Sequence, residues 1–217
     1  MATPRQMTSH TLEAIKGWPS PHAVDFAATL SANVTNNGNA VYAGRVAHLV
    51  FAQVTNLAGV VSNTPQYELG LLGAPTAVGN AANPTGNIGR CDMPIFLFQN
   101  SDDPDVSNPG GNPATDVGVW VAVSPTGKIM GLVAAGAYEL ETTEFVPEAT
   151  LGSTYTPGSG LTAIQNNTNG DGGLVTKGVA YNVPLCGVVS RGVRKNSYAV
   201  NALSFWPVWL PTNNAGA

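Results

Sequence analysis

The sequence has few charged side chains. Asp, Glu, Lys and Arg make up 10% of its 217 residues, whereas ordinary soluble domains carry roughly 25%. Much of the surface must therefore be neutral Asn, Thr, Ser, Gly and Ala. Such a surface suits a protein whose faces are covered by neighbours, because freely diffusing proteins rely on surface charge for solubility. A neutral, monomeric β protein is the alternative explanation.

Cysteine and long apolar runs are also scarce. Cys91 and Cys186 are the two cysteines, and they lack both CxxC spacing and a paired histidine, so no metal site is predicted. Each is expected to be a buried thiol, and a disulfide between them is left open. No cationic start precedes an apolar run, and no run reaches 18 apolar residues. The sequence therefore predicts neither a signal peptide nor a membrane partner.

Catalytic signatures are missing as well. The three histidines are scattered, and neither GxSxG nor HExxH occurs. Glu139 and Glu141 could act as general acid and base, but strand alternation places both on one outer face with no histidine nearby. A charged solvent-facing or edge face is the prediction for this pair. We therefore expect no enzyme, no catalytic, metal or cofactor-binding residue, and no cofactor.

The charges that are present are unevenly distributed. Residues 92–148 contain nine acidic residues and one basic residue, whereas the chain after Asp171 has no acid and four bases, Lys177, Arg191, Arg194 and Lys195. The basic end is predicted to pair with the acidic half of its own chain or of a neighbouring copy. Because the pI is about 5.2, no direct nucleic-acid partner is expected.

One loop concentrates carboxylates. Asp102, Asp103 and Asp105 lie within four residues, followed by prolines and Asx residues. Carboxylates this close together could hold calcium, but their spacing does not fit an EF-hand. A solvated or partner-facing loop is the main prediction.

Strand-like alternation dominates from residue 24 onward. Residues 41–54 are apolar on both faces, which predicts a strand that is buried on both sides or lies between a sheet and a partner. His48 within it is predicted to be a hydrogen-bonded core or interface residue. The pattern continues in three further stretches, 95–98, 117–133 and 137–145. Residues 117–133 are predicted to form a hairpin around Ser124–Gly127. The fold prediction is all-β, as an antiparallel β-sandwich or small β-barrel modules with long Gly/Pro/Asn-rich loops.

Three regions are predicted along the chain. Residues 1–23 form an extended N-terminal arm with one or two helical turns within 11–18, which docks on its own domain or on a neighbour. Residues 24–150 form the main β domain. Residues 151–217 form a small β-module packed on it, or continue the same domain, with a turn at 191–196.

The chain closes on Trp206-Pro207-Val-Trp209. Proline has no donor for a ladder, which predicts an edge position for Pro207. The two indoles either cap the core or contact a partner. The residues that we expect at an interface are Leu12, Ile15, Trp18, Asp102, Asp103, Asp105, Arg191, Arg194, Lys195, Trp206 and Trp209.

Three stretches carry a family resemblance, Val41–Leu49, Met93–Val106 and Tyr155–Pro211. Together they resemble virion structural proteins of large tailed bacteriophages, in kind a capsid decoration, or cement, protein. The resemblance implies a dimer or trimer on the outside of an expanded head, made in the host cytoplasm, that bridges neighbouring major capsid protein subunits. Another virion component, such as a tail or baseplate binding module or a jelly-roll shell subunit, is the alternative.

Overall fold

The computed structural model confirms the all-β prediction. It describes residues 12–16, 25–30, 41–55, 61–71, 90–97, 129–133, 139–165, 169–178 and 185–210. Within these residues the chain forms eleven strands and one helix of four residues. The predicted hairpin turn at 124–127 lies outside the described residues, as does the carboxylate loop at 102–105.

Five strands close into a barrel in the order β2, β4, β3, β5, β6. All neighbours are antiparallel except β2 and β4, which are parallel. Closure leaves no unpaired strand edge in this unit. The strands are β2 (Asp25–Leu30), β3 (Val46–Thr55), β4 (Val61–Leu69), β5 (Arg90–Leu97) and β6 (Ile129–Val133).

The remaining strands form an antiparallel sheet of six in the order β1, β7, β11, β10, β8, β9. A short helix, α1 (Glu148–Leu151), follows β7 and ends at Gly152, whose φ of 68° is left-handed. The strands are β1 (Leu12–Lys16), β7 (Glu139–Thr142), β8 (Gly160–Ala163), β9 (Val175–Lys177), β10 (Leu185–Lys195) and β11 (Asn201–Leu210).

The helical prediction for the N-terminal arm is wrong. Leu12–Lys16 is a strand whose Leu12 is registered with Thr142 of β7. A segment this short is marginal as a helix, and pairing with β7 satisfies its backbone groups instead. This part of the arm therefore docks on its own chain. The limits of the three predicted regions remain a prediction.

The part of β3 whose side chains are described, Val46–Leu49, is buried on both sides, as its apolar sequence predicts. Ala47 faces Leu69 on β4 and Ile95 on β5, and all three are almost completely buried inside the barrel. His48 is 1% exposed, and its Nδ1 lies 2.8 Å from the Gly70 carbonyl oxygen. The prediction of a hydrogen-bonded core histidine is confirmed.

The barrel and the sheet share one hydrophobic core. Val46, Leu71 and Phe96 of the barrel side pack with residues of the sheet, and the Phe96 and Phe205 rings lie 5.3 Å apart. Each fully buried large apolar side chain contributes roughly 1.5–3 kcal/mol. The sheet residues in this core are Leu140, Phe145, Tyr155, Leu161, Ala163, Val175, Cys186, Val189, Leu203 and Phe205.

Two glycines let the backbones of the two units touch. Gly70 has a φ of 87°, and a Cβ there would lie 2.0 Å from the Ile164 carbonyl oxygen. Gly173 has a φ of 80°, and its Cβ would lie 2.7 Å from the Val46 carbonyl oxygen. Its own carbonyl accepts a 2.8 Å hydrogen bond from the Val46 N–H. Glycine is required at both positions because there is no room for a side chain.

Candidate functional site

The six-stranded sheet has two faces with different chemistry. On β7, Leu140 lies in the shared core, and the Thr142 hydroxyl donates to the Gly44 carbonyl oxygen on the barrel side. Glu139 and Glu141 alternate with them and lie on the opposite side, which we call the far face. They are 1% and 3% exposed. The prediction of a solvent-facing or edge position for this pair is wrong, because both side chains are buried and β7 lies between β1 and β11.

Two arginines of β10 neutralise the far-face carboxylates. Arg191 Nη2 donates to Glu139 Oε2 over 2.6 Å, and Arg194 donates to Glu141 Oε2 through Nε at 2.9 Å and Nη2 at 2.8 Å. The arginine side chains are 37% and 38% exposed. The basic end therefore meets the acidic half of its own chain. Of the two predicted alternatives, pairing within the chain is the one confirmed for these two arginines.

Both carboxylates also accept a hydrogen bond from a serine hydroxyl. Ser190 donates to Glu139 Oε1 over 2.6 Å, and Ser204 donates to Glu141 Oε2 over 3.3 Å. Hydrogen bonds of this kind offset the loss of water around a buried carboxylate. We call Glu139, Glu141, Ser190, Ser204, Arg191 and Arg194 the far-face cluster.

A β-bulge aligns this cluster. Val189 is registered with Phe205 and Gly192 with Ser204, so three steps along β10 correspond to one along β11. Gly192 has a φ of 76°, as expected for glycine at a bulge. Arg191 and Arg194 are three residues apart and would lie on opposite faces of a regular strand. The irregularity brings both to carboxylates that are two residues apart.

The prediction of a turn at 191–196 is wrong because of the same β-bulge. Residues 191–195 belong to β10, and the chain reverses after Asn196. The glycine between two basic residues indicated a turn, but it accommodates the bulge. The sequence signal for the cluster is the match between two glutamates and two arginines, and pairing them required knowledge of the strand order.

A third carboxylate lies beside the cluster. Glu13 on β1 is registered directly with Glu141. Partial burial, together with the negative charge of Glu141, raises the pKa of the Glu13 carboxyl above its usual value. Like charges opposite each other in a sheet are unfavourable. The attachment of β1 to β7 is therefore opposed by the ionised form of Glu13.

Trp206 lies on the far face rather than in the shared core. It is registered with Val188 and is partly buried, whereas its neighbours Phe205 and Pro207 are buried. Pro207 is registered with Gly187 of β10, and residues 134–138, which precede β7, lie outside the described residues. The edge position predicted for Pro207, a residue without a donor, therefore stays a prediction.

A second ion pair lies at the seam between the barrel and the sheet. Arg45 Nε donates to Glu144 Oε2 over 2.8 Å, and both side chains are under a tenth exposed. Arg45 Nη1 also donates to the carbonyl oxygens of Gly170 and Gly172, at 2.8 and 2.9 Å. We call these residues the seam cluster. One guanidinium thereby links residues next to β3, β7 and β9.

The other predicted interface residues have mixed positions. Leu12 is partly buried against the shared core, Ile15 is partly buried in β1, and Lys195 is exposed. The side chain of Trp209 lies outside the described residues, as do four whole residues, Trp18, Asp102, Asp103 and Asp105. Their role at an interface stays a prediction.

Cys186 is a free thiol within the shared core. Complete burial raises the pKa of its thiol to about 12. It is therefore protonated at neutral pH, and the neutral thiol is a poor nucleophile and metal ligand. The expectation of a buried thiol is confirmed for this cysteine.

The charged side chains of both clusters are bonded within the chain. Both far-face carboxylates accept hydrogen bonds from a serine and an arginine, and the Arg45 guanidinium donates to three oxygens. Across the described ranges, no group of three His, Cys, Asp or Glu side chains is placed to hold a metal ion. The helical part of the described chain contains no segment long and apolar enough to cross a membrane.

The fold and the two clusters define an all-β protein with a five-stranded barrel packed on a six-stranded sheet. Comparison with protein-family models, curated proteins and solved structures finds no match to this chain.

Proposed function

We propose that the protein is a structural component of a phage particle that binds the outer surface of the capsid and stabilises it by bridging neighbouring major capsid subunits. The resemblance of residues 41–49, 93–106 and 155–211 to virion structural proteins motivates the proposal. The observation that supports it most is the union of two β units through one core and a buried ion pair. A bridge must resist deformation, and close-packed interiors of this kind transmit strain.

The charge pattern also supports this function. Arg45, Arg191 and Arg194 are paired with carboxylates of the same chain. Together with a charged fraction of 10%, this leaves a surface of mainly neutral groups. Neutral surface is less costly to desolvate against a neighbouring subunit than charged surface. Because a decoration protein is repeated over the head, modest individual contacts gain strength through multivalency.

The test uses empty expanded heads that lack the protein. Purified protein is mixed with them, binding is measured by co-sedimentation, and the temperature of head disruption is followed by light scattering. We expect saturable binding and a higher disruption temperature. Protein that stays in the supernatant, or bound protein that leaves the heads no tougher, contradicts the proposal. Isolated tails serve as the matched control, since binding to tails alone favours the other virion component.

A further inference from the structure

The hairpin between β10 and β11 projects beyond its neighbours in the sheet. Strand β8 is registered with β10 at Gly187 and Val188, and β7 is registered with β11 from Leu203 to Phe205. The last two pairs of the hairpin, Arg194 with Ala202 and Lys195 with Asn201, have no third strand among the described elements. Among the described strands, the end of the hairpin is therefore a two-stranded ribbon with no neighbour on either outer edge.

The tip of this ribbon has a defined shape. Asn196 N–H donates to the Val200 carbonyl oxygen over 2.8 Å, and Ala199 N–H donates to the Asn196 carbonyl oxygen over 3.0 Å. Asn196 Oδ1 accepts from the N–H groups of Tyr198 and Val200, both at 3.0 Å. This is a three-residue loop held by an Asx side chain.

One residue of the loop is in an unfavourable conformation. Ala199 has a φ of 60°. Every other residue with a positive φ in the described part of the chain is a glycine. Glycine is favoured at this position of a three-residue hairpin loop. Backbone strain in a well-bonded segment is common where a segment serves in recognition. Because the tip is already ordered, binding through it loses little further conformational entropy.

The tip presents an aromatic ring and a cation. Tyr198 is 44% exposed, and it is the one large hydrophobic side chain that is exposed among the described residues. Lys195 is exposed, and no carboxylate pairs with it in the described residues, whereas Arg194 is held by Glu141. The chain after Asp171 contains no acidic residue. Tyrosine is enriched in protein interfaces because it buries a large area with few rotatable bonds.

We infer that this tip is a docking element, in which Tyr198 enters an apolar recess rimmed by acidic groups on the neighbouring capsid subunit and Lys195 meets the acidic rim. The inference rests on the proposed function and names the part of the chain that makes the contact. A protein partner is favoured over nucleic acid because one unpaired lysine at the tip provides little attraction for phosphates.

The test measures binding of variants to the same empty heads. Tyr198→Ala is expected to weaken binding about 10-fold or more, as for a central aromatic contact. Tyr198→Phe is expected to retain binding within about 3-fold, because the apolar ring remains. Lys195→Glu is expected to reduce binding most at low salt, because a rim charge acts mainly through long-range attraction. Gln165→Ala, at an exposed position in another loop, is the matched control and should bind as the unaltered protein does.

Each outcome supports or overturns the inference. If the unaltered protein binds and Tyr198→Ala binds equally well, the docking element is overturned while the proposed function stands. If the unaltered protein does not bind, the proposed function fails, and this inference with it. Loss of self-association in Tyr198→Ala with head binding unchanged also overturns it, because the occupant is then a second copy. An unchanged thermal transition in Tyr198→Ala confirms that the loss of binding is local.

Discussion

The seam cluster and the far-face cluster use the same pair of side chains in different surroundings. Arg45 and Glu144 are both buried, at 8% and 5% side-chain exposure, whereas Arg191 and Arg194 keep more than a third of their surface in water. The seam arginine also donates to two backbone carbonyls of the 169–174 segment. The seam pair therefore links the barrel to the sheet, while the far-face pairs neutralise buried carboxylates within the sheet.

The largest effect is expected from breaking the seam pair. Arg45→Met leaves the Glu144 carboxylate buried and removes donors from Gly170 and Gly172, so we expect a loss of about 3–5 kcal/mol in the free energy of unfolding. Urea titration followed by tryptophan fluorescence measures it. Arg191→Met is the control in the far-face cluster and should lose less. Equal losses in the two variants would remove the distinction between the clusters.

The close approach at the seam gives the next largest effect. Gly70 and Gly158 both have a φ of 87°, but a Cβ at Gly158 meets nothing within 4 Å. Both alanine variants pay the left-handed penalty of about 1–2 kcal/mol. Gly70→Ala also forces a side chain against a backbone carbonyl, which adds about 1–3 kcal/mol.

Thermal unfolding of the two glycine variants separates these contributions. Gly158→Ala reports the backbone conformation alone, and the further loss in Gly70→Ala reports the contact between the barrel and the sheet. A Gly70→Ala variant as stable as Gly158→Ala would show that the two units do not touch there.

The far-face cluster should respond unequally to loss of its two partners. Arg194→Gln leaves the buried Glu141 carboxylate with a weaker donor, and we expect a loss of about 1–3 kcal/mol. Glu141→Gln leaves a half-exposed arginine that water can solvate, so the loss should be about 0–1 kcal/mol. Chemical denaturation of both variants measures the inequality. A larger loss for Glu141→Gln would mean that Arg194 depends on the carboxylate more than its exposure indicates.

The smallest effect concerns Glu13. Because its pKa is raised in the folded state, the folded protein binds this proton more tightly than the unfolded chain does. Stability from this group is present below the unfolded pKa and is lost as the pH rises through the folded pKa. Glu13→Gln should therefore be more stable than the unaltered protein near neutral pH.

The pH profile tests the sign. The advantage of Glu13→Gln should shrink as the pH falls to about 4, near the ordinary carboxyl range. Melting temperatures across this pH range, taken as differences between the two proteins, cancel the titration of shared groups. A difference that does not change with pH would show that the pKa of Glu13 is not raised in the folded protein.

Much of the strand content could be predicted from alternation. Residues 46–54 and 95–97 lie in strands, and His48 is a core residue as expected. These predictions held because an apolar run between glycine turns has few ways to bury itself. The helical prediction for residues 11–18 failed because Leu12 and Ile15 fit a helix as well as a strand over so few residues. Pairing with β7 decided between them.

The candidate site could be predicted only in part. The sequence indicated that its basic end would meet acidic residues. Arg191 and Arg194 were among the basic residues that it identified. It could not indicate that Glu139 and Glu141 are buried, because the side chains that contact them come from β10 and β11, 51 to 63 positions later in the chain. Nor could it indicate the bulge, since a glycine with positive φ fits a turn and a bulge equally.

The sequence by itself determined the all-β class, the apolar strands of the core and the separation of acidic and basic residues along the chain. These depend on composition and on a period of two, which are local properties. The tertiary structure decided which carboxylate meets which arginine, at the seam and on the far face. Such pairings join residues 52 to 99 positions apart, and strand order and register, rather than local preference, bring those residues together.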